Sequence, residues 1–139
     1  VVDPRGMRFA AAVTTIMLAV ILLAGSRWLL LAQTVVFGVG AVAGVRHAPY
    51  GLVFRSLIRP RLGPPAATED AAPPRFAQLV GAIFGVVGLV GFFAGMPALG
   101  YVAVALAFVA ALLNAAFEFC LGCQLYLFLH SIAVKGART

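Results

Sequence analysis

FAAAVTTIMLAVILLAGSRWLLLAQTVVFGVGAVAGV, residues 9–45, decides the fold. Two apolar runs flank Gly25-Ser26-Arg27, and each approaches the roughly 20 residues, about 17–25, that carry a helix across a bilayer. The short interruption is rich in helix breakers and reads as a turn, so the stretch is a helical hairpin. The pattern returns further along, where Gly95-Met96-Pro97 joins two more apolar runs. Four transmembrane helices are therefore predicted, at about Phe9–Gly25, Trp28–Val45, Phe76–Gly95 and Ala98–Phe117.

Composition agrees. Hydrophobic residues are 63% and charged residues 10% of the 139 positions, and mean hydropathy is +1.08. A soluble domain is roughly half apolar and about a quarter charged, so the chain reads as an all-α membrane protein whose first partner is the lipid bilayer. No short apolar stretch leads to a small-residue cleavage site, and the first hydrophobic segment is expected to remain in the protein. A net charge of +6 would suit nucleic acid, but the basic residues do not cluster with aromatics on a soluble face, so no nucleic-acid partner is expected.

The chain reads as one membrane domain, residues 1–139, built from two hairpin repeats. Asp3-Pro4-Arg5-Gly6-Met7-Arg8-Phe9-Ala10 enters the first hairpin and Asp70-Ala71-Ala72-Pro73-Pro74-Arg75-Phe76-Ala77 enters the second, sharing Arg-Phe-Ala. Asp3 is placed to cap the first helix, with Pro4 in its first turn. Each hairpin leads into a shorter apolar segment expected to form an interfacial helix, Tyr50–Arg59 after the first and Leu125–Ile132 after the second. Repeat 1 covers about residues 3–62, a Gly/Pro-rich linker about 63–72, and repeat 2 about 73–134. Nine of the ten basic residues fall on one side of this arrangement, with Arg27 alone on the other. The positive-inside rule then puts both termini and the central loop on the cytoplasmic side of the inner membrane.

Gly40 and Gly44, Gly81 and Gly85, and Gly91 and Gly95 are small-xxx-small pairs, and Ala103, Ala107, Ala111 and Ala115 form a stripe. Such residues let membrane helices approach closely; they imply a compact bundle or, across copies, a homo-oligomer.

Phe117-Glu118-Phe119-Cys120-Leu121-Gly122-Cys123 holds the chemistry. The only two cysteines stand three apart, where a helical turn brings their thiols together for a disulfide or a soft metal, and a helix N-terminus favours the thiolate. A break at Gly122 would put them at such a terminus. Glu118 borders the apolar run, where a carboxylate is costly; it could exchange a proton with a thiol, or pair with Arg46 or Arg55. Cys120, Cys123 and Glu118 are the candidate reactive residues. His47 and His130 lack a zinc spacing to the cysteines. Asn114 is expected to hydrogen-bond between helices. No phosphate loop, Ser/His/Asp set or HExxH motif occurs, and no cofactor or metal is assigned.

His47-Ala48-Pro49-Tyr50-Gly51, Arg59-Pro60-Arg61, Pro74-Arg75-Phe76-Ala77 and Phe119-Cys120-Leu121-Gly122-Cys123, together with Asp3-Pro4-Arg5-Gly6, resemble an uncharacterised bacterial family of four-helix membrane proteins. It is a domain of unknown function, common in actinobacteria and encoded near thioredoxin-like and rhodanese-type sulfurtransferase proteins. The resemblance spans essentially the whole chain and implies thiol or sulfur chemistry. The plan is also similar to small four-helix membrane proteins linked to sulfur oxidation and disulfide handling.

Three functions follow as expectations. The first is a cytoplasm-facing dithiol that exchanges electrons or sulfane sulfur with a thioredoxin-like or sulfurtransferase partner. A small transporter, or a protein handling soft metal or sulfur anions, is the second. The third is a structural subunit with incidental cysteines. Whether the protein is an enzyme is left open by its residues.

Overall fold

A computed structural model describes residues 4–44, 47–63, 72–117 and 120–138. Those residues form helices α1 (Pro4–Ala24), α2 (Arg27–Ala43), α3 (Pro49–Val53), a π-helical turn (Phe54–Ile58), α4 (Arg59–Leu62), α5 (Ala72–Phe93), α6 (Pro97–Phe117) and α7 (Leu121–Arg138), with no strand among them. Three are long and apolar enough to cross a membrane: α1 from Arg5, α5 and α6. The remaining predicted span, α2, has 17 residues, at the lower limit for crossing.

Several boundaries differ from expectation for identifiable reasons. α1 begins at Pro4 rather than Phe9, and α5 at Ala72 rather than Phe76. Proline is accepted in a first helical turn, where its missing N–H would have had no partner, so Pro73 and Pro74 sit in the first turn of α5. Asp3, Val45 and Arg46, and residues 64–71 of the expected linker, lie outside the described residues. The hairpin turns fall where predicted. Gly25 has φ 62° and Gly95 φ 79°, a region glycine enters without steric cost. The Ser26 hydroxyl then caps α2 by accepting the Leu29 N–H at 3.2 Å, which satisfies one of the exposed first-turn donors.

The predicted interfacial helix Tyr50–Arg59 is part of a helical run from Pro49 to Leu62 that widens in the middle. Arg59 N–H bonds to Phe54 O, five residues back. Pro60 has no N–H, and its ring would collide with the Ser56 carbonyl in a regular helix; the wider turn before it relieves that collision. The second interfacial segment is also longer than Leu125–Ile132: α7 has 18 residues. The break expected at Gly122 falls before Leu121 instead.

Helix pairing follows the second hairpin but not the first. α1 packs chiefly on α6, and α2 on α5; α5 and α6 also pack closely, whereas α1 and α2 touch far less. Glycines explain the α2–α5 contact. A Cβ at Gly81, Gly85 or Gly88 would run into Phe37, Thr34 or Leu30 of α2, so these bare positions receive the facing side chains. Dispersion over that close contact replaces the hydrophobic drive that lipid removes. The glycine face expected to serve a homo-oligomer is thus filled by the chain's own helix. Leu18, Ile21, Leu30 and Val104 form the most buried cluster. Gly44, by contrast, ends α2 with φ 94° and Gly95 sits in its turn, so neither belongs to a packing pair.

The same contacts recur in the two halves. Arg8 Nε donates to Ala115 O at 2.9 Å near the end of α6, and Arg75 Nε and Nη2 donate to Ala41 O at 3.2 Å and Val42 O at 2.8 Å near the end of α2. Both arginines meet carbonyls that a helix C-terminus leaves without internal donors. Phe9 packs on Phe54 with ring centroids 5.9 Å apart, and Phe76 packs on Tyr126 at 5.8 Å. Arg75→Ala is expected to lower stability by about 1 kcal/mol, the usual scale of an exposed charge-assisted contact, read as a lower thermal midpoint in mild detergent. Wild-type stability in that variant would mean that the α2 carbonyls are equally well served by solvent.

At the opposite end, the Arg27 guanidinium lies over Phe93, 4.8 Å from the ring centroid, and Trp28 meets Phe93 edge-on at 5.7 Å. Cation and amphipathic rings together suit a membrane–water boundary.

Candidate functional site

Cys120 immediately precedes α7 and takes the place of a capping residue. Its Sγ accepts the Cys123 N–H at 3.1 Å, where a serine or aspartate oxygen commonly serves. Cys123 follows one turn later on the same face, its Cα 5.1 Å from that of Cys120, and the two are joined by a disulfide. The spacing thus brings the sulfurs together as expected. Gly122 explains the residue between them. A Cβ there would stand 2.6 Å from both Cα and Cβ of Ala77, so the first turn of α7 lies directly against the α5 backbone.

The disulfide faces a cavity of about 400 Å³ that also touches Arg55 and Arg59. Most of the remaining wall is apolar, from residues such as Met7, Ala10, Phe84, Ala107 and Ala110, with Thr14, Gln78 and Asn114 as polar points. The cavity occupies the end of the bundle that carries the first turns of α1 and α5. One short helical segment therefore supplies arginines to it and another supplies the cysteine pair. The Arg55 Nε–H is buried and has no hydrogen-bond acceptor among the described residues, an expensive condition for a charged donor.

Close by in sequence, Tyr50 reaches into the bundle and donates its hydroxyl to Gln33 Oε1 at 2.5 Å. Burial pushes the Tyr50 phenol up from its ordinary value, which keeps the proton that this bond uses. Gln33 is 0% exposed, and its Nε2 has no partner among the described residues.

Glu118 lies outside the described residues. Asn114 lines the cavity. His130 is exposed and stacks on Tyr126 at 5.9 Å, and His47 is exposed. Among the described residues no three His, Cys, Asp or Glu side chains gather as a metal site.

Sequence reasoning missed the cavity and its arginines. Arg55 and Arg59 were expected in an interfacial helix, with Arg55 also offered as a partner for Glu118, although two cations four apart in an apolar segment were the available signal. The small residues were read chiefly as packing; Gly81, Ala107, Ala110 and Ala111 also line the chamber.

By length and composition of α1, α5 and α6, the fold is that of a multi-pass helical membrane protein, with a disulfide on the wall of a cavity. The chain belongs to the family described as Domain of unknown function (DUF4395), whose model it matches over residues 2–131. No curated protein and no solved structure matches it.

Proposed function

We propose that this protein is a membrane dithiol–disulfide exchanger that passes electrons to or from a soluble thioredoxin-like partner at the cytoplasmic side, with Cys120 as the attacking thiolate. The observation that carries this reading is the Cys120–Cys123 disulfide at the start of α7, with Cys120 Sγ accepting the Cys123 N–H. A sulfur in that position is stabilised as the thiolate when the pair is reduced. Cys120 then attacks a partner disulfide, and the partner's distal sulfur leaves as thiolate. Cys123 attacks Cys120 in the mixed disulfide, which re-forms the internal bond and releases the partner as a dithiol. A sulfurtransferase partner would use the same sulfurs through a persulfide.

The finer architecture belongs to the same proposal. α2 is the fourth crossing, both termini face the cytoplasm across the inner membrane, and the halves descend from a duplicated hairpin. The paired contacts of Arg8 with Arg75, and of Phe9–Phe54 with Phe76–Tyr126, support the duplication.

Thiol alkylation and mass spectrometry across a graded redox buffer test the exchange. Reversible closure near the thioredoxin range, about −270 mV, is expected, and Cys123→Ser is expected to accumulate a mixed disulfide with added thioredoxin through Cys120. Cys120→Ser should accumulate far less. A pair that stays closed throughout the buffer series would make the bond structural and end the proposal.

A further inference from the structure

The chamber behind the cysteine pair has a chemistry of its own, and what it binds rests on the exchange reading above. Its volume of about 400 Å³ lies within the roughly 300–1,000 Å³ of small-molecule sites. The wall is largely apolar, which suits a ligand body carried in lipid and serves a small hydrated oxyanion poorly. Arg55 adds a cation with a buried N–H that has no acceptor among the described residues, so the ligand should offer an oxygen. The same wall carries a sulfur pair that changes by two electrons. An apolar ring, an acceptor oxygen and a two-electron capacity define one ligand class.

We propose that the chamber binds a lipid-soluble quinone and that the reduced Cys120/Cys123 pair converts it to the quinol. One thiolate adds to a ring carbon and forms a C–S bond. The second sulfur attacks the first, so the S–S bond forms as the C–S bond breaks and its electron pair passes to the ring. The two protons released by the thiols end on the two ring oxygens, and the disulfide seen in the structure is the product. Arg55 donates to a quinone oxygen and stabilises the negative charge that develops there. The partner dithiol of the exchange reaction would restore the reduced pair, which makes the protein a link between soluble thiols and the membrane quinone pool.

The test mixes pre-reduced protein with decylubiquinone under anaerobic conditions, following quinone absorbance and cysteine alkylation together. One quinone should be consumed per cysteine pair. Arg55→Gln should slow the reaction at sub-saturating quinone about 10-fold to 100-fold, the scale of a lost hydrogen bond to a charged group. Ala110→Phe, which places a ring in the chamber, should slow it similarly. In both variants closure of the pair by oxidised glutathione should match wild type, which shows that the cysteines are still correctly placed. Wild-type quinone rates in both variants would assign the reaction to unspecific thiol chemistry and overturn the site. If the unaltered pair exchanges with thioredoxin but leaves quinone untouched, the quinone proposal fails and the exchange reading stands. A pair that does neither overturns both.

Discussion

Gly122→Ala is expected to destabilise the protein by about 2 kcal/mol, the middle of the range for forcing atoms into a filled contact, and to shift closure of the Cys120–Cys123 pair. The sign is the informative part. In a helix with open surroundings, replacing glycine by alanine stabilises by roughly 0.5–1 kcal/mol, because the backbone has less freedom to lose. Here the added methyl would meet Ala77 Cα and Cβ, both at 2.6 Å. Ala77 has no flexible side chain to swing aside, so α7 must move away from α5. Its first turn holds Cys123, its cap is Cys120, and both line the chamber, so the displacement should reach the chemistry. Thermal melting in detergent and the redox midpoint of the pair give the two readouts. A more stable variant with an unchanged midpoint would show that α7 does not rest on α5 in solution.

Gly91→Ala should be comparably harmful, by about 2 kcal/mol, for a reason at the opposite end of the bundle. Its Cβ would fall 2.5 Å from the Gly100 backbone nitrogen and 3.0 Å from Met96 O. These are backbone atoms of the tight α5–α6 hairpin, and relief requires the two helices to separate. Gly38→Ala is the control. Nothing lies within 4 Å of its Cβ position, so this substitution in α2 should raise stability by about 0.5–1 kcal/mol. Opposite shifts in the two thermal midpoints are expected, and equal shifts would remove the steric account of the hairpin.

These glycines show how much could be read in advance. Gly81-x-x-x-Gly85 announces a close helix contact, but the same spacing at Gly91-x-x-x-Gly95 pairs a contact glycine with a turn glycine. Spacing alone does not separate them, since a positive φ and a bare helix face both select glycine. Cys120 and Cys123 were legible as a pair because a helical turn brings residues three apart together. The role of Gly122 was not, because Ala77, the neighbour that demands it, is distant in the chain.

The all-helical, apolar character, the hairpin turns and the meeting of the two sulfurs were settled locally, by hydropathy, backbone freedom at glycine and the helical repeat. The pairing of α1 with α6 and α2 with α5, the chamber, and the placing of Arg55 and the disulfide on its wall required the whole bundle. Lipid gives helices no preference for their sequence neighbours, so shape complementarity between distant faces chooses partners, and the space left between those faces becomes the site.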